Sequence, residues 1–398
     1  MTDPLAIPAG FQFATHAAGI KYPNRKDLGL IIADSPSATA AVFTQNRFAA
    51  APVTVSRETL QNSQLCSGIV VNSGNANAAT GDAGMSNARE MAALAASTTS
   101  AKAPYLVCST GTIGVQLPMG KLRDAIPAAA KKPQATAEAF IEFAESIMTT
   151  DTVRKVTSAT VEIDGTPVTI TGCAKGSGMI HVNMATMLSY IVTDIAIAPD
   201  VLQTTFSHII NRTLNCVTID GDTSTNDTAI IMASGASGVM VQPGTKQFAA
   251  FEEALTSVLT TLSKKLARDG EGATHLVEVT VTGAPTYEQA RTAALSVAKS
   301  PLVKTAIYGR DANWGRIACA LGYSEVPFDP NQTDISLGNL PLMLNGTPLD
   351  FSEDEAMKIL SQEEIRIYAD LKNGSEAATV WTCDLTEKYI EINGSYRT

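Results

Sequence analysis

Few side chains in this 398-residue chain have a type and spacing that read as chemistry. Six cysteines (Cys66, Cys108, Cys173, Cys216, Cys319 and Cys383) stand apart with no CxxC pair. Their spacing fits neither a zinc site nor a disulfide framework, so they read as reduced, mostly buried small hydrophobes. Four histidines, His16, His181, His208 and His275, are too few and too separated for a metal motif. The stretch from Ala174 to Leu188, AKGSGMIHVNMATML, is different: a flexible Gly176-Ser177-Gly178 loop leads into Thr186, which opens an apolar run to Ala198. The residues alone leave two readings of Thr186. It is an ordinary strand threonine, or it is a hydroxyl nucleophile, which needs a base beside it. No Ser/His/Asp set stands out to supply that base, and His181, five residues upstream, reads as structural. Gly-Ser-Gly lacks the third glycine of a dinucleotide loop, which argues against a cofactor-binding module.

The elements that would position these groups alternate between strand and helix. Strand patterns cover residues 30–34, 40–44 and 68–72, the last running into a polar loop at Asn72–Asn77. Residues 85–97 and 133–148 read as helices, the second with Pro133 in its first turn. Segments 156–163 and 166–173 form a hairpin across Asp164-Gly165, a strong turn pair. Beyond Thr186 come a strand to Ala198, a helix over 202–214, a strand over 217–220 and a long amphipathic helix over 248–266. A polar loop at 268–272, a strand over 277–283 and a helix over 287–298 follow. This order predicts an α/β or α+β architecture on large sheets. The closing segment repeats the mixed pattern in shorter elements, which places a domain border near residue 290.

Composition bounds the function. Apolar residues at 45% and charged residues at 17% are those of a core-forming globular chain. The net charge of −10, with no basic run, argues against a nucleic-acid partner and for small-molecule substrates. The most apolar stretch, 187–198, is broken by Asp194 and too short to span a bilayer. The N-terminal MTDPLAIPAGFQFA has no basic region typical of a signal peptide, so the expected location is the cytosol.

Further segments stand out in order: Phe43-Thr44-Gln45-Asn46, Asn72–Asn77, Ser109-Thr110-Gly111 with Leu117-Pro118-Met119, Thr149-Thr150-Asp151-Thr152, Gly221–Asp227, Asp269-Gly270-Glu271-Gly272, Tyr308–Arg316 and Asn393–Thr398. Together with Lys175–Leu188 they resemble the ornithine acetyltransferase family, also called glutamate N-acetyltransferase, over essentially the whole chain. Val182 departs from the pattern, since the family often has proline there; one local rigidifier is lost.

The resemblance implies an N-terminal-nucleophile-like layered α/β sandwich over residues 1–290, self-cleaved between Ala185 and Thr186, and a C-terminal α/β domain over 291–398. It implies that Thr186 is both cleavage site and acetyl carrier, that Thr110 and Gly111 form an oxyanion hole, and that Thr149, Lys175, Thr186, Glu271, Asn393 and Thr398 bind substrate. On residues alone, Thr110-Gly111 is a plain turn, Lys175 and Glu271 are solvated charges, and Asn393 and Thr398 belong to a chain end, although Ile390 and Ile392 argue for a terminal strand. Charge complementarity pairs Lys175 with a substrate carboxylate and Glu271 with the terminal ammonium of ornithine. The implied reaction moves acetyl from N2-acetylornithine to glutamate, in arginine biosynthesis, with no cofactor and no metal; acetyl-CoA stays open as an alternative donor. The implied assembly pairs fragments 1–185 and 186–398 in a tetramer of two of each. The competing readings are a self-cleaving aminopeptidase or amidase of related fold, and a paralogue of specialised metabolism.

Overall fold

The computed structural model describes residues 5–181 and 187–395. The first part of the chain runs β1 (Phe11–His16), β2 (Leu28–Phe43), α1 (Ala51–Asn62), β3 (Leu65–Asn75), α2 (Gly81–Thr98), β4 (Tyr105–Thr112), α3 (Met119–Ala129) and α4 (Ala137–Ser146). It continues through β5 (Lys155–Ile163), β6 (Thr166–Lys175), β7 (Leu188–Thr193), α5 (Pro199–Arg212), β8 (Thr228–Ala233) and α6 (Lys246–Arg268). These strands join in the order β4-β3-β2-β8-β7-β6-β5, with β1 also on β2.

This sheet is folded on itself. Tyr190 of β7 lies against Cys108 of β4. The two strands are four spacings apart in the sheet, roughly 19 Å if it were flat. The fold line is β2, whose first half pairs with β1 and whose second half pairs with β8, and whose register against β3 shifts between Ile32 and Ser37. Period-two alternation then gives each half two apolar faces. Ile69, Leu106, Tyr190, Ile230 and Met232 meet in one core between the halves. Val70, Tyr105 and Val107 turn outward under α1, α2 and α3, while Ile191, Ile231 and Val168 turn outward under α5 and α6. The result is a helix–sheet–sheet–helix sandwich, in agreement with the layered α/β expectation.

The second sheet, in the order β12-β11-β10-β13-β9-β14, is built from β9 (Leu276–Ala284), β10 (Asp334–Leu337), β11 (Leu340–Leu344), β12 (Thr347–Pro348), β13 (Glu364–Asp370) and β14 (Glu376–Cys383). Its helices are α7 (Tyr287–Lys299), α8 (Pro301–Tyr308), α9 (Trp314–Gly322), α10 (Glu353–Leu360) and, after β14, α11 (Glu387–Ser395). Helix α6 packs on β5 and β6 of the first sheet and reaches β9 and β14 of the second, fixing one against the other. Residue 290 falls inside α7, and the change of sheet comes earlier, between β8 and β9.

Several elements depart from the sequence reading. The strands expected at 30–34 and 40–44 are one 16-residue strand, β2. The helix expected from Pro133 starts at Ala137, because Gln134 exchanges backbone hydrogen bonds with Phe13 and Thr136 caps the helix by accepting from the Ala139 amide. Beyond Thr186, the strand is confined to Leu188–Thr193. The strand expected over 217–220 is reduced to single bridges from Val217 to Trp381 and from Thr218 to His181. Two residues beyond Thr218, Asp220 accepts from the Met179 and Ile180 amides. The terminal strand expected from Ile390 and Ile392 is instead helix α11, which buries none of its residues. The Asp164-Gly165 hairpin forms as read, with both residues at positive φ.

Helix α4 is anchored between the sheet halves by aromatic contacts: Phe140 meets Phe13 edge-on at 5.0 Å, and Phe143 meets Tyr190 at 5.4 Å. The chain leaving α4 carries Thr149 and Asp151, so this anchor also sets one wall of the site described next. Phe143→Ala is expected to cost about 3–5 kcal/mol. Urea denaturation will show this as a lower midpoint at an unchanged slope.

Candidate active site

A cavity of about 210 Å³ opens where the ends of β4, β6, β7 and β8 meet the loop after α6 and helix α11. It gathers Thr110, Gly111, Thr149, Lys175, Glu271 and Asn393, the sequence-predicted site residues within the described chain. Ala185, Thr186 and Thr398 lie outside the described residues. Met187 lines the cavity, and Leu188 pairs in register with Lys175 across β7 and β6.

The wall carrying Thr110 and Gly111 is part of β4, which runs on to Thr112 rather than ending in a turn at Ser109. It is held by a buried amide network. The Ser109 hydroxyl donates to Asn72 Oδ1 at 2.6 Å, and Asn72 Nδ2 donates to the Asn75 carbonyl at 2.9 Å. Asn226 Nδ2, from the loop before β8, donates to the Ala76 and Ser109 carbonyls at 2.6 and 2.9 Å. Gly111 sits at φ 131°, and a Cβ there would lie 2.3 Å from the Gly74 carbonyl carbon. Only glycine fits, because the backbones of β3 and β4 approach this closely.

The Gly176–His181 loop is not loose. Ser177 is buried and donates to the Asp269 carbonyl at 2.6 Å, and the Glu271 amide donates to the Ser177 carbonyl at 2.8 Å. The Glu271 carboxylate rests against Gly178, where a Cβ would meet Oε2 at 2.4 Å, and it accepts from Asn393 Nδ2 at 2.7 Å. Asp220 accepts from the Met179 and Ile180 amides at 2.5 and 2.9 Å, and Tyr389 of α11 donates to it at 3.4 Å. Met179 is left at φ 55°, a strained conformation for a side-chain-bearing residue.

Two lysines and two aspartates cluster at the cavity floor, Lys175 lining it and Lys155, Asp151 and Asp269 beneath. Lys155 Nζ contacts Asp151 Oδ1 at 2.7 Å and Asp269 Oδ2 at 2.5 Å, and all three side chains are essentially dry. Lys175 Nζ donates to Thr149 Oγ1 at 2.8 Å and lies 3.9 Å from Asp151 Oδ2. Burial alone would raise the Asp151 pKa, but Lys175 and Lys155 hold it down to about 2. Burial pushes Lys175 below the ordinary lysine range, with Asp151 as the main opposing charge. The cavity wall is asymmetric: Lys175 faces carboxylates from Asp220, Asp222, Asp227 and Glu271. Such a site suits a small zwitterion with an added cationic group.

Sequence reasoning missed Asp220, Tyr389 and Lys155. Asp220 was hidden in an expected strand and Tyr389 in an expected terminal strand. The spacing of Asp151 and Lys155, four residues apart, was the available signal for the buried pair. His181 is not among the cavity-lining residues; its ring meets Thr218 Oγ1 at 3.2 Å. Among the described residues no cluster of His, Cys, Asp and Glu could hold a metal ion, and no helix is long and apolar enough to cross a membrane.

Burial, with Lys299 and Arg291 nearby, pushes the His181 pKa from 6.5 to about 4. A depressed histidine favours the folded state above the unfolded pKa, and that contribution is lost as pH falls from about 6.5 towards 4. His181→Gln is therefore expected to flatten the pH dependence of stability across that window by up to one bound proton. Urea midpoints measured at intervals between pH 4 and 7 check it, and a slope equal to wild type would contradict it.

The model of the ArgJ family matches residues 12–398. The arginine biosynthesis bifunctional protein ArgJ of Symbiobacterium thermophilum is 47% identical over 400 residues, covering 99% of this chain and 98% of that protein. The ArgJ protein of Thermotoga neapolitana is also 47% identical, over 98% of this chain and all of its own length. The crystal structure of ArgJ from Bacillus halodurans is 44% identical with a TM-score of 0.52; it covers 53% of this chain and 100% of its own. A family match across nearly the whole chain, with relatives of this identity at full length, places the protein in the ArgJ family.

Proposed function

We propose that this protein is a self-cleaving acetyltransferase of arginine biosynthesis, moving acetyl from N2-acetylornithine to glutamate through an acetyl ester on Thr186. One observation carries the reading. Residues scattered from 110 to 393 converge on one cavity, and its wall includes Met187, the residue bonded to Thr186. The names of the relatives add arginine biosynthesis and two activities in one protein.

Maturation begins when the Thr186 hydroxyl attacks the Ala185 carbonyl. The peptide C–N bond breaks to give an ester, and water opens that ester. The products are fragments 1–185 and 186–398. The solved Bacillus halodurans chain, matched in full yet covering 53% of this one, has about the share that residues 186–398 would make up. Cleavage frees the Thr186 amine, whose reference pKa is about 7.7–8.0. That amine serves as base for its own hydroxyl, which explains why no Ser/His/Asp set is needed.

In turnover, Thr186 Oγ1 attacks the acetyl carbonyl of N2-acetylornithine. Thr110, through its hydroxyl, and Gly111, through its N–H, stabilise the oxyanion; one such donor is worth about 3–4 kcal/mol. Ornithine leaves with the amine's proton, and glutamate takes the acetyl group in a second attack, which regenerates Thr186. Lys175 receives the substrate carboxylate. Glu271, braced by Asn393, receives the ornithine ammonium, and Thr149 and Thr398 complete the contacts. The acyl bond energy is conserved, so the cycle requires no cofactor, and acetyl-CoA stays open as an alternative donor. The fragments stay paired, as two of each, in the cytosol. Hydrolysis by an aminopeptidase-like relative would share the first steps; membership of the ArgJ family favours transfer over it.

Denaturing electrophoresis of wild type is expected to give two bands, with threonine at the N-terminus of the larger, and Thr186→Ala a single full-length band. With N2-acetylornithine as donor, N-acetylglutamate should outpace acetate release. Active protein that runs as one band would overturn the cleavage, and acetate as the main product would overturn the transfer.

A further inference from the structure

We propose that Asp151 is a positioning residue for carboxylate recognition, which from beneath the cavity floor fixes the Lys175 ammonium and the Thr149 and Gly176 backbone in one arrangement. This rests on Lys175 being the group that receives the substrate carboxylate. The Asp151 side chain is fully buried and does not line the cavity, so it acts only through its partners.

Every acceptor site of Asp151 is directed at a part of the substrate wall or its support. Oδ1 accepts from the Gly176 amide at 2.6 Å and from Lys155 Nζ at 2.7 Å. Oδ2 accepts from the Thr149 amide at 3.0 Å and faces Lys175 Nζ at 3.9 Å. The last distance is too long for a hydrogen bond but well inside ion-pair attraction in a dry site. Lys175 spends one donor on Thr149 Oγ1, and Asp151 attracts the ammonium without claiming its remaining donors.

Charge matching separates this role from simple support. Lys155 and Asp269 form one close pair. The remaining two charges of the cluster are Asp151 and Lys175, so Asp151 is the anion that matches Lys175. The other charges that act on Lys175 are Lys155, which repels it, and Asp227 and Glu271, which attract it from the cavity side. Without Asp151 the ammonium is drawn towards Asp227 and Glu271, the second of which is assigned to the substrate cation, and away from the substrate carboxylate. The predicted consequence is selective: substrates with a free carboxylate suffer, and an acetyl donor without one suffers far less.

The test uses Asp151→Asn, with processed chains counted by the acetyl burst from a neutral aryl acetate. For N2-acetylornithine, kcat/KM is expected to fall about 30-fold or more, mainly through KM, as befits loss of one partner of a buried charge pair. Acetylation by the aryl acetate should fall at least about ten-fold less. Equal losses on both donors would overturn the proposal. Should the single variant not fold, Asp151→Asn/Lys175→Met keeps the Lys155–Asp269 pair matched and is compared with Lys175→Met alone. Equal kcat/KM for N2-acetylornithine supports the coupling, and a further loss of about ten-fold in the double variant overturns it. The wild-type burst is the control: its absence overturns the acetyl-enzyme reading together with this one, whereas a normal burst with equal losses overturns the role of Asp151 alone.

Discussion

Burying four charges in one dry space is the constraint on which the site depends. Each ion taken out of water costs several kcal/mol, and only close, complementary neighbours offset that cost. Asp151, Lys155, Asp269 and Lys175 come from four chain segments: the stretch after α4, the start of β5, the end of α6 and the end of β6. Their mutual neutralisation leaves these segments little freedom. Asp269 in turn binds the Thr152 amide and hydroxyl, and its carbonyl holds Ser177. The loop that approaches the proposed scissile bond is thus tied to a charge cluster deeper in the fold, beyond the strands it joins.

The folding of the sheet along β2 explains why the cavity has chemically unlike walls. One half supplies Thr110 and Gly111 from β4, with their buried asparagine support; the other supplies Lys175, Met187 and the Ser224–Asp227 loop. Asn226 joins the halves by bonding the Ser109 carbonyl. The second sheet contributes less to the wall and more to its polarity. The loop after α6 brings Glu271, and α11, which follows β14, brings Tyr389 and Asn393 against Asp220 and Glu271. Because α11 buries no residue, those polar contacts, with the close fit of Lys388 and Tyr389 over Gly272, are what seat it.

Much of this was legible in the sequence where local physics decides. Asp164-Gly165 dictated a hairpin, and the amphipathic run at 248–266 appears as α6. The predicted site residues that lie in the described chain all reach one cavity, although it was ordered motifs, not residue chemistry, that singled them out. What escaped depends on non-local geometry. The continuity of β2 follows from its partners β1, β3 and β8, and no window on 30–44 reveals it. Residues 217–219 look like a strand, yet Val217 bridges only to Trp381 and Thr218 only to His181, so no ladder forms. Ile390 and Ile392 carry a strand-like alternation, but Ile390 is 72% exposed on a helix. Nothing local marks Asp151 and Lys155 as a buried pair, because their partner Asp269 is more than a hundred positions away.

The sheet order also bears on how such a protein is made and lost. Strands β7 and β8 lie after residue 186, yet they sit in the middle of the first sheet, between β2 and β6. A cut between Ala185 and Thr186 would turn the β6–β7 and β2–β8 ladders into contacts between separate chains. Fragment 1–185 alone would have a two-strand gap in its sheet and two open edges, an invitation to aggregate. Folding of the uncut chain ahead of such a cut would avoid exposing those edges. After cutting, unfolding releases two pieces whose reunion is bimolecular and dilution-sensitive. The mature protein would therefore persist through a slow rate of coming apart rather than through reversible refolding.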